Sequence, residues 1–248
     1  MVAVEGCTAV PLVHRIATGF LARMGFRKSE IVGGEEEETE DTDDAVGPIP
    51  PLTWDRLDLD RGVVLIDRTK TNDPRPLTLD PGVARALTLW KAMHPNAKPA
   101  DPVFVDVEGA VIELGAELYR SHLEKAKVTR PELFAKSKTK QPVRVHDLRA
   151  LFVTLSIANG RPETWIRDRT SHRTLSMLDK YRRQARMFEE LHLGELAPID
   201  QTIPEFASGG EVAEDDLGPT ESTESTSTDE PIEPDVPVHA LRGDLSRA

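Results

Sequence analysis

The segment "RVHDLRALFVTLSIANGRPETWIRDRTSHRTLSMLDKYRR", residues 144–183, carries most of the information about fold and chemistry. It holds His146 and His172, a series of arginines and Tyr181, one of only two tyrosines in the chain. Apolar residues recur there at helical spacing, and the breaks at "NGRP" and "RTSHRT" divide the segment into three predicted helices. The first predicted helix spans about residues 145–158, the second begins near residue 163, and the third runs from about residue 175 to 193.

The polar residues of this segment fall at spacings that allow them to converge. His146 and Arg149 are three residues apart on one predicted helix, so their side chains share a face. His172 and Tyr181 are nine residues apart and would point in opposite directions on one unbroken helix. The break at "RTSHRT" removes that restriction, because His172 then lies at or before a helix N-terminus.

These residue types match what attack on a phosphodiester requires. Tyrosine can act as the nucleophile, arginines can neutralise the non-bridging oxygens, and lysine or histidine can protonate the leaving oxygen. The sequence near these residues contains no carboxylate cluster suited to magnesium, and the chain has no Cys/His pattern typical of a metal site. We therefore expect no metal and no cofactor, with the arginines in the cation's place.

The net charge of −12 would argue against a phosphate site if it were spread evenly, but it is not. Residues 35–47 hold eight acids and no base, and residues 196–248 hold thirteen acids and two bases. The rest of the chain carries 29 basic and 22 acidic side chains, an excess of seven positive charges. Acidic blocks of this kind are typical of solvated loops and tails, so the predicted folded part is compatible with nucleic-acid binding.

The remaining sequence predicts an α+β fold that is mainly helical, with a small antiparallel sheet. Residues 9–31 have apolar residues at helical spacing, and "GVVLID" and "RPLTL" predict two strands joined by the turn "TKTNDP". We predict one domain over residues 1–197, interrupted by an acidic loop insertion at 34–50. Residues 198–248 are rich in Ser, Thr, Pro, Asp and Glu and are predicted to be a disordered acidic tail.

The motif "HDLR…SHRTLSMLDKY" resembles the catalytic domain of the tyrosine recombinases, the phage integrase family. That family carries His-x-x-Arg, a Gly-His pair, and a nucleophilic tyrosine nine residues beyond the second histidine. It also carries an arginine in a Gly-x-Arg-x-Ser-Glu box and a lysine at the tip of a β-hairpin. Here "MGFRKSEI" supplies Arg27, and the predicted turn supplies Lys70.

The resemblance implies a role for each matched residue. Tyr181 is expected to form a 3′-phosphotyrosyl link, Arg27 and Arg149 to bind the scissile phosphate, and Lys70 to protonate the 5′-oxygen. His146 is expected to assist proton transfer. His172 is expected to hydrogen-bond the phosphate or steady its neighbours.

The implied activity is site-specific DNA recombination or integration, as in mobile elements, without ATP. The expected partners are double-stranded DNA and further copies of the chain in a tetramer. The basic loop residues Lys136, Lys138, Lys140 and Arg144 lead into His146, so we expect them to contact the DNA backbone. No apolar run is long enough to span a membrane. A single cysteine fits a cytoplasmic location, and DNA binding implies association with the nucleoid.

Two departures from the family leave alternatives open. Ser171 stands where the family usually has glycine, and its side chain either crowds the phosphate or caps a helix. Only 26 residues precede Arg27, so we expect no N-terminal core-binding domain. The alternatives to a recombinase are a catalytically weak or inactive DNA-binding accessory and a topoisomerase-like enzyme that relaxes supercoils.

Overall fold

The computed structural model describes residues 1–34, 48–66, 75–138, 140–171, 176–191 and 194–207. This part of the chain is mainly helical with small antiparallel sheets, as the sequence predicts. Its α-helices are α1 Val2–Glu5, α2 Leu12–Met24, α3 Lys28–Val32, α4 Pro81–Ala92, α5 Ala116–Lys125, α6 Asp147–Ala158, α7 Glu163–Thr170, α8 Ser176–Glu190, α9 Ile199–Thr202 and α10 Pro204–Ala207. None of them is long and apolar enough to cross a membrane.

Helix α2 is the centre of the hydrophobic core. Its apolar side chains after Leu12 are buried, and Phe20 makes edge-to-face contacts with Phe26 and Phe104. The helix ends at Gly25, which adopts a left-handed conformation with φ of +71°. Glycine enters this region without the steric penalty of a side chain, so it can end the helix and turn the chain toward α3.

The predicted hairpin is confirmed as part of a three-stranded antiparallel sheet. Its strands are β3 Leu57–Asp58, β4 Val63–Ile66 and β5 Arg75–Thr78, in the order β3-β4-β5. Ile66 pairs with Arg75 at the end of the ladder, immediately before and after residues 67–74. The predicted turn with Lys70 lies outside the described residues.

The acidic insertion starts and ends at the same place on the protein. Strands β1 Gly33–Gly34 and β2 Ile49–Pro51 form a short antiparallel pair, with Gly34 opposite Ile49. Leu52 donates its backbone N–H to the carbonyl of Ile31. Residues 35–47 lie outside the described part, but the backbone on either side of them is held together.

Helices α6, α7 and α8 form a second, smaller core. Phe152 and Val153 of α6 pack with Ile166 of α7 and Leu178 of α8, and Trp165 stacks on Phe152. The helix boundaries match the three helices predicted from the segment 144–183. This packing places the helix that carries Tyr181 against the helix that carries Arg149.

The prediction that disorder begins at residue 198 is wrong for residues 198–207. Helices α9 and α10 bury Ile199, Ile203 and Phe206 against the main core. Glu205 also forms a two-pronged ion pair with Arg15, whose side chain is buried. The three apolar residues recur at spacings of four and three, which is enough to anchor two short helices although the 51-residue average composition is polar. Residues 208–248 lie outside the described part.

Candidate active site

Arg27 is positioned by the chain reversal between α2 and α3. A Cβ atom on Gly25 would overlap the Phe152 ring, so this turn needs glycine for space as well as for its positive φ. Arg27 then caps α3, and its backbone N–H donates to Glu30 Oε2 at 2.7 Å. The Gly, Arg and Glu of the motif at residues 25–30 are therefore all explained by one local structure.

Glu30 is the anionic centre of the site. Its side chain is fully buried, and Oε1 accepts a hydrogen bond of 2.9 Å from Arg75 Nη2. The same oxygen lies 3.5 Å from Arg27 Nη1, which is buried and has no hydrogen-bond acceptor among the described residues. Glu30 therefore holds Arg75 directly and attracts Arg27 more weakly.

Arg149 lies on the first turn of α6 and is buried. Its Nη1 donates to the carbonyl oxygen of Gly25 at 2.7 Å, which connects α6 to the turn before Arg27. Burial, together with the nearby charge of Arg27, lowers the pKa of Arg149 to about 9, and Glu30 opposes this shift. The guanidinium remains charged at neutral pH, so it can bind an anion there.

His146 precedes α6 at the protein surface, beside Arg149. Partial desolvation lowers the pKa of His146 below 6.5, and the charges of Arg149 and Arg144 act in the same direction. The ring is therefore mostly neutral at pH 7 and has a nitrogen free to accept a proton.

Tyr181 lies half-buried on α8, next to the second core. It packs against that core, and the ammonium of Lys180 lies 4.9 Å from the centre of its ring. Its hydroxyl is close enough to Arg149 that ionisation of Tyr181 would raise the Arg149 pKa. Arg182 fixes the helix by ion pairs with Glu163 of α7 and Asp179 of its own helix.

Ser171 has a backbone conformation that is uncommon for a residue with a side chain. It ends α7 in the left-handed region, with φ of +48°, a conformation that favours glycine. Its hydroxyl accepts a hydrogen bond from Arg75 Nη1. Glycine would adopt this backbone conformation without strain, and the serine side chain adds a contact with Arg75.

The structure brings together four of the six predicted catalytic residues. Arg27, His146, Arg149 and Tyr181 surround one region of the surface, whereas Lys70 and His172 lie outside the described residues. The predicted DNA contacts Lys136, Lys138, Lys140 and Arg144 are all exposed. Arg144 lies 3.5 Å from Asp147, so its charge is partly balanced.

Arg75 is the site residue that the sequence analysis missed. The predicted strand "RPLTL" contains it, and strict alternation along the strand places Arg75 and Leu77 on the same, inward face. An arginine on the inward face of a strand indicates a buried ion pair or polar contact, because a buried arginine requires an anionic or polar partner. This pattern could have identified Arg75. Within the described residues, no group of three or more His, Cys, Asp or Glu side chains could hold a metal ion.

Comparison with known proteins assigns the chain to a family. The model of the phage integrase family matches residues 46–187, a range that includes His146, Arg149 and Tyr181 and begins after Arg27. No curated protein sequence matches the chain.

Among solved structures, the chain is similar to the XerA recombinase. The identity is 16% and the TM-score 0.54, over 79% of this chain and 61% of that protein. It is also similar to the Tn1549 transposon integrase in complex with transposon right end DNA. There the identity is 18% and the TM-score 0.52, over 78% of this chain and 63% of the integrase. The chain thus spans about three-fifths of these structures, and the similarity supports a shared fold. Because the family model covers more than half of the sequence, the chain belongs to the phage integrase family.

Proposed function

We propose that the protein cleaves and rejoins double-stranded DNA as a site-specific recombinase or integrase, through a covalent link between Tyr181 and a DNA 3′-phosphate. The observation that carries this proposal is the meeting of Arg27, Arg149 and Tyr181. These residues come from three separate segments of the chain: Arg27 and Arg149 lie near the buried carboxylate of Glu30, and Tyr181 lies near Arg149. Such an arrangement offers a nucleophile beside two arginines that can bind phosphate.

In the proposed reaction, the Tyr181 oxygen attacks phosphorus while the bond from phosphorus to the 5′-oxygen breaks. Neutral His146 accepts the phenolic proton, and Lys70 donates a proton to the leaving 5′-oxygen. One ester bond forms as another breaks, so a 5′-hydroxyl of the same or another strand can reverse the step without ATP. No metal or cofactor enters this scheme.

The arginines stabilise the charge that develops on the non-bridging oxygens. The Gly25 carbonyl holds the Arg149 guanidinium, and Glu30 holds the backbone of Arg27, so the positions of both arginines are set before DNA binds. His172 is assigned to a hydrogen bond with the phosphate or with its neighbours, as the family resemblance implies.

The proposed partners are DNA and further copies of the chain. The exposed lysines at 136, 138 and 140 would lie along the DNA backbone. The similar Tn1549 integrase was solved with DNA, which supports the same partner here. A tetramer on two duplexes and a location at the cytoplasmic nucleoid belong to the same proposal.

The test is covalent trapping on nicked duplex DNA whose sequence is randomised around the nick. The reaction contains EDTA, and adducts are detected on denaturing gels through a label on the DNA. Because the chain has only two tyrosines, Tyr119→Phe is a matched control for Tyr181→Phe. Tyr119 is buried, and its hydroxyl contacts the Met1 sulfur at 3.7 Å.

We expect adducts with the wild type and with Tyr119→Phe, and none with Tyr181→Phe. An adduct that survives in Tyr181→Phe would refute the nucleophile assignment. Retention of DNA without any adduct in the wild type would favour the non-cleaving accessory. Relaxation of supercoiled plasmid without strand exchange would favour the topoisomerase-like enzyme.

A further inference from the structure

Arg75 occupies an unusual place for a strand arginine. It is the first residue of β5, its side chain is about nine-tenths buried, and it pairs with Ile66 at the end of the hairpin next to the connecting residues 67–74. Both ends of its guanidinium are engaged, since Nη2 donates to Glu30 and Nη1 donates to Ser171. No role has been assigned to Arg75 in the reaction proposed above.

These contacts join parts of the site that are remote in the sequence. Glu30 is 45 residues before Arg75, and Ser171 is 96 residues after it. Glu30 in turn holds the backbone of Arg27, and Ser171 immediately precedes His172. Arg75 therefore connects the arginine box, the hairpin strand after Lys70, and the segment that leads to His172.

The charge of Arg75 also affects the position of the Arg27 guanidinium. A fully buried carboxylate needs a hydrogen-bonded cation, and Arg75 meets that need at 2.9 Å. Arg27 Nη1 remains at 3.5 Å from the same oxygen, without a hydrogen bond. If Arg75 were removed, Glu30 would draw the Arg27 guanidinium into a direct ion pair, away from a bound phosphate.

We infer that Arg75 is a positioning residue that saturates Glu30, keeps Arg27 available for the scissile phosphate, and holds the segment before His172. This inference deepens the proposed function and rests on it for its kinetic consequence. Arg75 itself does not touch the reacting atoms.

Lysine cannot replace Arg75 in this role. The guanidinium is a planar fork whose two ends reach acceptors in different directions, whereas an ammonium is a single point of charge. Arg75→Lys is therefore expected to keep the charge near Glu30 and to lose the bridge to Ser171. The matched control is Arg61→Lys, because Arg61 belongs to the turn between β3 and β4 of the same sheet and its side chain is 84% exposed.

The kinetic experiment measures adduct formation in a single turnover as a function of DNA concentration. We expect Arg75→Lys to lower the maximal rate by about 100-fold, as displacement of catalytic groups by about 1 Å does. The DNA concentration that gives half of the maximal rate should change by less than about threefold. Arg61→Lys should leave both quantities unchanged. A maximal rate for Arg75→Lys within about twofold of the wild type would overturn the inference.

A double-mutant cycle separates positioning from general damage to the fold. Ser171→Ala removes the same bridge from its other end, so its effect on the maximal rate should largely disappear in the Arg75→Lys background. Multiplicative effects of the two substitutions would refute the proposed bridge. The melting temperatures of all variants should show that they are folded at the assay temperature.

A crystal structure of Arg75→Met tests the inference without any activity. We expect the distance between Arg27 and Glu30 Oε1 to shorten from 3.5 Å to a direct hydrogen bond. Arg27 unmoved in that structure would overturn the inference even if the enzyme is active. If the wild type forms no adduct, the proposed function fails, and the movement of Arg27 in this structure still decides the positioning role.

Discussion

The attachment of α9 to α2 leads to a prediction that can be worked out quantitatively. Ile199 of α9 is completely buried, and it packs directly on Gly19 in the middle of α2. A Cβ atom on Gly19 would overlap Ile199 Cδ1 and would lie only 3.0 Å from Ile199 Cγ1 and from Glu5 Oε1. The glycine therefore makes room for the isoleucine, and a methyl group at position 19 competes with it for the same space.

The two single substitutions should each destabilise the fold. Ile199→Ala leaves a cavity at a fully buried site, which costs about 2–5 kcal/mol in the free energy of unfolding. Gly19→Ala gains about 1 kcal/mol of helix propensity but loses about 1–3 kcal/mol through overpacking, so its net cost is smaller. In the double variant, the new methyl group occupies part of the vacated volume. The combined loss should therefore be about 1–2 kcal/mol smaller than the sum, with full rescue prevented by the close contact to Glu5.

Urea unfolding of the four proteins measures this coupling. The urea concentrations at the unfolding midpoints should shift, while the slope of the unfolding free energy against urea concentration stays constant. The stability changes can then be compared directly. The control pair is Gly19→Ala with Leu178→Ala, because Leu178 is equally buried but belongs to the second core. That pair should be additive. Additivity of Gly19→Ala with Ile199→Ala, or a cost below about 0.5 kcal/mol for Ile199→Ala, would refute the docking of α9 on α2.

Three further predictions concern the backbone at position 171 and the dependence of stability on pH. Ser171→Gly should melt about 2–4 °C above Ser171→Ala, because both lose the hydroxyl but only alanine keeps a Cβ atom at a positive φ. Equal melting temperatures would contradict the left-handed conformation. Burial, together with the nearby His14 and Lys125, lowers the pKa of His122 from 6.5 to about 4, so the folded state keeps this ring neutral while the unfolded state takes up a proton. Stability should therefore fall between pH 6.5 and pH 4, by an amount on the order of 3 kcal/mol, and His122→Gln should flatten this part of a plot of melting temperature against pH. The hydrogen bond from Arg15 lowers the pKa of Glu205 below 4.5, so stabilisation by that pair is complete above pH 4.5 and is lost as the pH falls through the folded-state value. Glu205→Gln should remove only that acidic loss, and an unchanged acidic limb would contradict the ion pair.

Much of the fold follows from local sequence signals. The apolar spacing of residues 9–31 and 144–183 and the two short runs of the hairpin predict elements that the structure confirms. The spacing of His146, Arg149 and Tyr181, together with the family resemblance, also indicates which residues should meet. The helix and hairpin signals succeed because each depends on residues that are close to one another in the sequence.

The features that the sequence did not reveal depend on contacts between distant segments. Arg75 shows its inward direction by strand alternation, but nothing local identifies Glu30 and Ser171 as its acceptors. Helices α9 and α10 were missed for another reason. Their three anchoring apolar residues lie at the edge of a long polar stretch, where average composition conceals a short amphipathic start.

The charges around Glu30 suit the proposed reaction better than arginines alone would. Arg27, Arg75 and Arg149 supply three positive charges and Glu30 one negative charge, which leaves an excess of two. A phosphodiester carries one negative charge, and attack by an ionised tyrosine raises it to two in the transition state. The net positive charge of the site therefore equals the negative charge of the proposed transition state and exceeds that of the bound phosphodiester. An excess of this kind stabilises the transition state more than the ground state. Glu30 also makes the site possible before DNA binds, because it opposes the repulsion that lowers the pKa of the buried Arg149. Because Arg75 neutralises Glu30, we infer that the Arg27 guanidinium stays free to bind the phosphate.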